Sequence, residues 1–469
     1  MVRSGQMSGQ THVLVGDKVA VLPQLEPGQK LLPVTELSEL LVLSPAAQLA
    51  AREAVARGND ALEPLRRASD ASISQFFQAF AERLEDPATF EQIAKVNAAD
   101  VESAQKRGRS TGRLRLTEPM RRDMIGGLRG WASAPSRVGE LVERRQGEGF
   151  AIERRRAPLG LVAFVFEGRP NVFADAAGVL RNRNAAVFRI GGDALNTAVA
   201  IEELALRPAL ASAGLPSGAL TLVRSTEHGA AQALFCERSV RLAVARGSGR
   251  TVALLGAVAR QHGIPVSLHG TGGAWMYVEP SARPETVHNA VVNSLDRKVC
   301  NTLNVLLLDR AAVATLGPVV EKALREVKAE VAVLRGSEGV VTAKQELEEP
   351  RLAHEWEWDA APEVSFALVD GLAEAASLFN RYSPRFVASI LSTRAGAFEE
   401  WADAVEAPYV GNAFTRWVDG QWAWLRPELG LTNWESGRLL GRSGFLSGDD
   451  ITSVRDFFVD ETGLASQRR

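Results

Sequence analysis

Leu159-Gly-Leu-Val-Ala-Phe-Val-Phe166 is an unbroken apolar run of strand length, and it opens directly into Glu167-Gly-Arg-Pro-Asn171. It does not alternate, so both faces of such a strand must be covered, as in a parallel sheet flanked by helices. The pattern recurs downstream. Ala185–Arg189 reads as a second strand, Leu220–Val223 as a third, Arg241–Ala245 as a fourth and Pro265–His269 as a fifth. Helical stretches separate them: one opens at Asp175–Leu180, and others cover Asn196–Leu210, Gly229–Cys236 and Thr251–His262. The second is expected to end at the Pro208 to Gly214 region. Strands alternating with helices of this length predict an α/β fold built on a Rossmann-like, doubly wound sheet.

A second α/β region follows from about Met276 to Leu440, with strands at Leu303–Leu308 and Ser365–Val369 and a helix over Pro318–Lys328. Upstream, Pro45 to about Ser133 is helical in period, with Asp70 expected as the N-cap of an apolar-faced helix. Gly139 to Arg155 reads as a polar two-stranded hairpin turning near Gly147–Gly149. A lone hairpin buries little, so it is expected to lean on another subunit. Residues 1 to about 43 show no sustained period and read as an extension or arm.

With 469 residues the chain exceeds one compact core, so two or three domains are expected. Apolar residues make up 46% and the formal charge is −2, which leaves no basic excess for nucleic acid. No apolar run approaches a membrane span, and the N-terminus does not read as a signal peptide. Two cysteines, Cys236 and Cys300, cannot build a disulfide framework, so a reducing cytoplasm is the plain expectation. His12, His228, His262, His269, His288 and His354 form no ligand spacing, and no metal site is expected.

Cys300 lies in Asp296-Arg-Lys-Val-Cys-Asn-Thr, two and three residues after cations and just before a strand. That placement suits a nucleophilic thiol of lowered pKa; the alternative is a buried, inert cysteine. Asn171 ends the turn after the first parallel strand, where ligands gather. Its amide could donate to a developing oxyanion together with the Cys300 N–H, or it could serve as an Asx-turn residue. Gly247 and Ser248 form a small turn at a helix N-terminus, suited to phosphate or to a nicotinamide. Arg189, ahead of Gly191 and Gly192, could take a 2′-phosphate, favouring NADP over NAD, or could be a solvated strand-end charge.

Taken together, the segment Ala157 to Ala177 resembles the strand and turn of the gamma-glutamyl phosphate reductase family, a branch of the aldehyde dehydrogenase superfamily. The likeness continues in order through Arg189–Asn196, Arg246-Gly-Ser, His269, Val299-Cys-Asn, Tyr409 to Gly420 and Glu428-Leu-Gly-Leu-Thr. It implies a cofactor domain at 44–136 and 158–272, a catalytic domain at 273–440 and an oligomerisation flap at 137–157 and 441–469. It further implies NADP(H), a homo-oligomer (dimer or tetramer) and a small acyl substrate. Cys300 would carry a thioester, with Asn171 in the oxyanion site and His269, Arg189, Gly191, Gly192, Gly247 and Ser248 along the cofactor. Hydrolysing aldehyde dehydrogenases have a glutamate where His269 stands, so exchange with phosphate is expected rather than oxidation to a free acid.

Other segments depart from the family. The loop before Cys300 is two residues shorter and lacks Pro-Gly, and Tyr382-Ser-Pro-Arg replaces a glycine- and histidine-rich stretch. The late Arg-Gly-Pro segment becomes Arg442-Ser-Gly, and Trp417, Trp422 and Trp424 add bulk near Asp419-Gly420. Arg297, Arg385 and Arg416 are the candidates for gripping a substrate carboxylate or phosphate, each with a surface ion pair as the alternative. Three functions remain in view: reduction of gamma-glutamyl phosphate, the same chemistry on another acyl phosphate or thioester, and a catalytically retired binding protein.

Overall fold

The computed structural model describes residues 4–7, 10–109, 111–166, 168–419, 423–424, 428–435 and 438–463. Glu167, Gly420 and Trp422 lie outside the described residues. The chain divides into two compact units, residues 1–267 with 426–430 and 446–469, and residues 268–425 with 431–445.

In the first unit, β1 (Ser4–Met7), β2 (Gln10–Val15) and β3 (Lys18–Val21) form an antiparallel sheet, and β4 (Lys30–Val34) pairs with β5 (Glu39–Leu43). Strands this short are too brief to show a sustained period, so the sequence reads as an arm where the structure has hairpins. Four helices follow: α1 (Pro45–Arg67), α2 (Asp70–Glu85), α3 (Pro87–Lys106) and α4 (Glu118–Ser133). Each has an oxygen-bearing cap, at Ser44, Ser69, Asp86 and Thr117. The cap of α2 is therefore Ser69 and not Asp70. Ser69 is extended (φ −75°, ψ 154°), and its hydroxyl accepts the Ser72 N–H at 3.0 Å. Asp70 is the first helical residue, where a carboxylate still suits the helix dipole.

Trp131 on α4 is fully buried, seated between two glycines. A Cβ on Gly178 would lie 2.2 Å from its indole, and one on Gly448 would lie 2.6 Å from it. Gly178→Val should therefore cost about 3 kcal/mol or more through overpacking. A denaturant titration followed by intrinsic tryptophan emission would show the loss; an unchanged midpoint would contradict the packing.

β6 (Leu141–Gln146) and β7 (Phe150–Pro158) form the expected hairpin, and the C-terminal strand Thr452–Asp460 pairs antiparallel with β7. The main sheet then begins. β8 (Leu161–Phe166) leads to α5 (Val172–Ala176), β9 (Ala185–Ile190), α6 (Leu195–Ile201) and α7 (Arg207–Ser212). β10 (Leu220–Leu222), α8 (Gly229–Leu234), β11 (Val240–Arg246), α9 (Gly249–Gln261) and β12 (Val266–His269) complete it. A π-turn at Glu202–Leu206 joins α6 to α7, so the helix runs on through Pro208 and ends at Ser212, within the expected Pro208 to Gly214 region. The wider turn already interrupts the i→i−4 ladder, so the N–H that proline lacks is not missed. The strand order is β10-β9-β8-β11-β12, the doubly wound arrangement that reverses direction between β8 and β11.

The second unit is built on a parallel sheet of seven strands. Its elements run β13 (Ala274–Val278), α10 (Pro284–Ser294), β14 (Leu303–Asp309), α11 (Val313–Glu326), β15 (Glu330–Leu334) and β16 (Gln345–Leu347). Then come β17 (Glu363–Val369), α12 (Leu372–Tyr382), β18 (Val387–Leu391), α13 (Ala397–Ala404) and β19 (Tyr409–Gly411). The spatial order is β16-β15-β17-β14-β13-β18-β19. Alternate residues of β14 serve two cores: Leu306 and Leu308 pack with α10 and α11, while Val305 and Leu307 face Phe379 and Trp401. Helix α11 starts at Val313, ahead of Pro318, because Leu316, Val320 and Leu324 already share its buried face.

Candidate active site

In the first unit, the reversal point lies between β8 and β11, and the predicted residues gather at the carboxyl ends of these strands. Asn171 begins α5 but makes no side-chain cap bond, and its Oδ1 is buried without a partner among the described residues. The Asx-turn reading therefore lacks its hydrogen bond. Gly247 follows β11 directly, and Ser248 is extended at the start of α9 without capping it. Its hydroxyl donates instead to Thr251 Oγ1 at 3.0 Å. The first turn of this 13-residue helix keeps its N–H groups for another acceptor.

Arg189 corrects one of its two readings. It is only 5% exposed, so it is no solvated charge. Nη2 donates to the Glu227 carbonyl at 3.1 Å, while Nε is buried without a partner. Burial pulls its pKa down, and no described carboxylate pairs with it. An anion is the missing complement of such a group. Gly191 donates its N–H to the Phe166 carbonyl at 3.1 Å, and a Cβ on Gly192 would sit 3.4 Å from the Thr226 carbonyl oxygen. These residues fit the ribose-phosphate end of a dinucleotide.

Three charged groups in the same unit were not singled out from sequence. Asp175 lies one helical turn after Asn171, and burial pushes its carboxyl up to about 7, with Arg246 pulling the other way and Glu428 adding to the rise. Arg246 ends β11 and pairs with Glu428 at 3.0 Å. For Arg246 the strand-end position was the available signal.

In the second unit, Cys300 sits part-exposed in the turn between α10 and β14. Its surroundings are tightly fastened. The Thr302 hydroxyl accepts the Val299 N–H at 2.9 Å and donates to the Arg297 carbonyl at 2.7 Å. The Thr415 hydroxyl donates to the Asn301 carbonyl at 2.7 Å, and Asn301 Nδ2 donates to the Val418 carbonyl. Arg416 Nε donates to Asn301 Oδ1 at 2.8 Å, and its Nη1 is paired with Asp296. The thiol packs against a cluster that includes Phe386, Tyr409, Trp417 and Trp424. A cavity of about 500 Å³ is lined by Asn293, Asp296, Arg297, Phe414, Arg416 and Asp419.

Arg385 is not among those lining residues. It adopts φ 51°, donates twice to the Asn380 carbonyl and pairs with Glu406 at 3.1 Å. Arg297, by contrast, has no carboxylate partner among the described residues. His269 ends β12, is 7% exposed and stacks obliquely on Phe386 at 5.1 Å. No group of His, Cys, Asp and Glu that could hold a metal ion occurs among the described residues.

Residues 39–337 match the aldehyde dehydrogenase family. The chain is 32% identical over 351 residues to gamma-glutamyl phosphate reductase of Rhodopirellula baltica, spanning 72% of this chain and 79% of that one. It is 30% identical over 375 residues to the enzyme of that name from Brucella anthropi, spanning 77% and 85%. Its fold superposes on the crystal structure of gamma-glutamyl phosphate reductase from Thermotoga maritima with a TM-score of 0.79 at 23% identity, covering 89% of this chain and all of that one.

Proposed function

Because the chain belongs to the aldehyde dehydrogenase family, and within it to the gamma-glutamyl phosphate reductases, we propose that it reduces gamma-glutamyl phosphate to glutamate-5-semialdehyde and phosphate, in proline biosynthesis, through Cys300. The observation that supports the nucleophile is the fastening of the 297–302 turn around a part-exposed thiol. An inert core cysteine needs no such frame.

On this reading the Cys300 thiolate attacks the acyl carbon, and the new C–S bond leaves a tetrahedral oxyanion. Asn171 and the Cys300 N–H stabilise that charge, an assignment supported by the uncommitted Asn171 side chain. Collapse breaks the C–O bond, and phosphate departs with the electron pair. A nicotinamide cofactor bound along Arg189, Gly191, Gly192, Gly247, Ser248 and His269 would supply hydride to the thioester carbon. Expulsion of the Cys300 thiolate then frees the aldehyde. The buried, unpaired Arg189 Nε supports NADP(H) over NAD(H).

The sheet of β6, β7 and Thr452–Asp460 carries exposed Leu141, Val142, Ile152, Val454, Phe457 and Phe458. Apolar exposure on a three-stranded flap supports a homo-oligomer, dimer or tetramer, closed through it. No described helix is long and apolar enough to cross a membrane, and we place the enzyme in the cytoplasm.

The test is phosphate-dependent NADP reduction by glutamate-5-semialdehyde. Absence of turnover with sound cofactor binding would redirect attention to a different acyl group. The aromatic cluster of Phe386, Tyr409, Trp417 and Trp424 beside Cys300 favours that second reading. Within either, Arg297 is the cation left for a substrate anion. Arg297→Met is expected to raise KM by about 10- to 100-fold with a smaller change in kcat. Unchanged steady-state constants would remove Arg297 from the substrate site.

A further inference from the structure

Glu355 is tied both to the turn beside Cys300 and to a cation in the Cys300 loop. Its Oε2 accepts the Gly272 N–H at 3.0 Å, and its Oε1 accepts from Lys298 Nζ at 3.0 Å. Lys298, two residues before Cys300, is only 7% exposed, and Glu357 lies 3.8 Å from the same ammonium. The Gly272–Gly273 turn lies directly against the cysteine. Gly273 donates its N–H to the Cys300 carbonyl at 2.7 Å. A Cβ on Gly272 would be 2.8 Å from Cys300 Cα, from Cys300 O and from Glu355 Oε1.

Glu355 is itself held from both sides by one residue of β14. Asn304 Nδ2 donates to the His354 carbonyl at 2.8 Å, and Asn304 Oδ1 accepts the Trp356 N–H at 2.9 Å. Asn304 follows Cys300 by four positions, so the carboxylate is referenced to the same strand that the cysteine enters. A nearly enclosed ammonium needs an adjacent carboxylate, and a carboxylate so held fixes both the geometry and the local charge.

We propose that Glu355 is a positioning residue for Cys300: it pins the Gly272 turn against the cysteine backbone and cancels the Lys298 charge, so that the thiol feels a near-neutral neighbour there. The proposal rests on Cys300 being the nucleophile. Beyond Lys298, Glu355 and Glu357, the charged groups around this loop among the described residues include Asp296, Arg297, Arg416 and Asp419, with His354 next to Glu355. His354 is drawn below its usual range, first by burial and then by Arg351, and contributes little positive charge near neutrality.

The test follows the pH dependence of Cys300 alkylation by iodoacetamide in the full-length protein, with modified peptides resolved from Cys236. Glu355→Gln keeps an acceptor for the Gly272 N–H but leaves Lys298 with only the more distant Glu357, so the midpoint should fall by about one pH unit. Lys298→Met leaves the carboxylate uncancelled, so the midpoint should rise by about as much. The double variant should return close to the wild-type value. Midpoints that stay put in both single variants, or that move together in one direction, overturn the proposal. A Cys300→Ala protein that retains turnover would instead sink the nucleophile reading, whatever the midpoints do. If one single variant fails to fold, the other and the double variant still decide.

Discussion

Replacing Cys300 by alanine is expected to lower NADP reduction by glutamate-5-semialdehyde at least about ten-thousand-fold, while NADPH affinity stays within about twofold. Without the sulfur no thioester forms, and oxyanion donors alone leave only residual catalysis. The same assay on Cys236→Ala supplies the control. Burial pushes the Cys236 thiol up to about 11, against a small opposing pull from Lys30, so little thiolate is present near neutral pH. That variant should keep its rate within about twofold. Should Cys236→Ala be the inactive protein, or Cys300→Ala the active one, the assignment is reversed. If the wild type neither binds NADPH nor turns over, a retired binding protein becomes the better description.

The parallel sheet of the first unit was legible because its strands are buried on both faces, and Leu161–Phe166 has no exposed position to break the apolar run. The hairpin was equally visible, since Gly147 to Gly149 interrupts two polar strands. What stayed hidden was settled by tertiary contact. The strands before residue 44 are too short for periodicity, and the slot for Trp131 needs Gly178 and Gly448, far apart in the chain. Cys300 and Asn171 could each be read from a strand end as candidates, whereas Glu355 could not. Its neighbours Gly272 and Lys298 come from distant parts of the chain, and nothing in His354-Glu-Trp-Glu-Trp sets it apart from a surface run. Arg385 shows the converse. Its position in a departing loop suggested a ligand, but a left-handed backbone and the Asn380 carbonyl turn it inward.

Raising the pH from 5 to 8 should destabilise the wild-type protein by about 3 kcal/mol relative to an Asp175→Asn variant. Burial holds the Asp175 carboxyl near 7, against 3.8 unperturbed. Below pH 3.8 the group is protonated in both folded and unfolded chains and costs nothing. Between there and 7 the unfolded chain gives up the proton while the folded one keeps it, so stability drains as pH rises, and above 7 the full cost of an ionised, desolvated carboxylate remains. Glu428 and Asp123 act in the same direction as burial, while Arg246 and Arg169 oppose it. Arg246 is partly spent, since it already pairs with Glu428. Asparagine has nearly the same shape and never ionises, so the variant should lack this slope and be the more stable protein at pH 8. Denaturant midpoints read from intrinsic tryptophan emission at pH 5, 6.5 and 8 test this. A wild type that gains on the variant as pH rises would mean that Arg246 has captured the carboxylate, with the ion pair outweighing burial. A gain for the variant would instead mark Asp175 as a group kept one helical turn from Asn171 at the expense of stability, as functional sites often keep theirs.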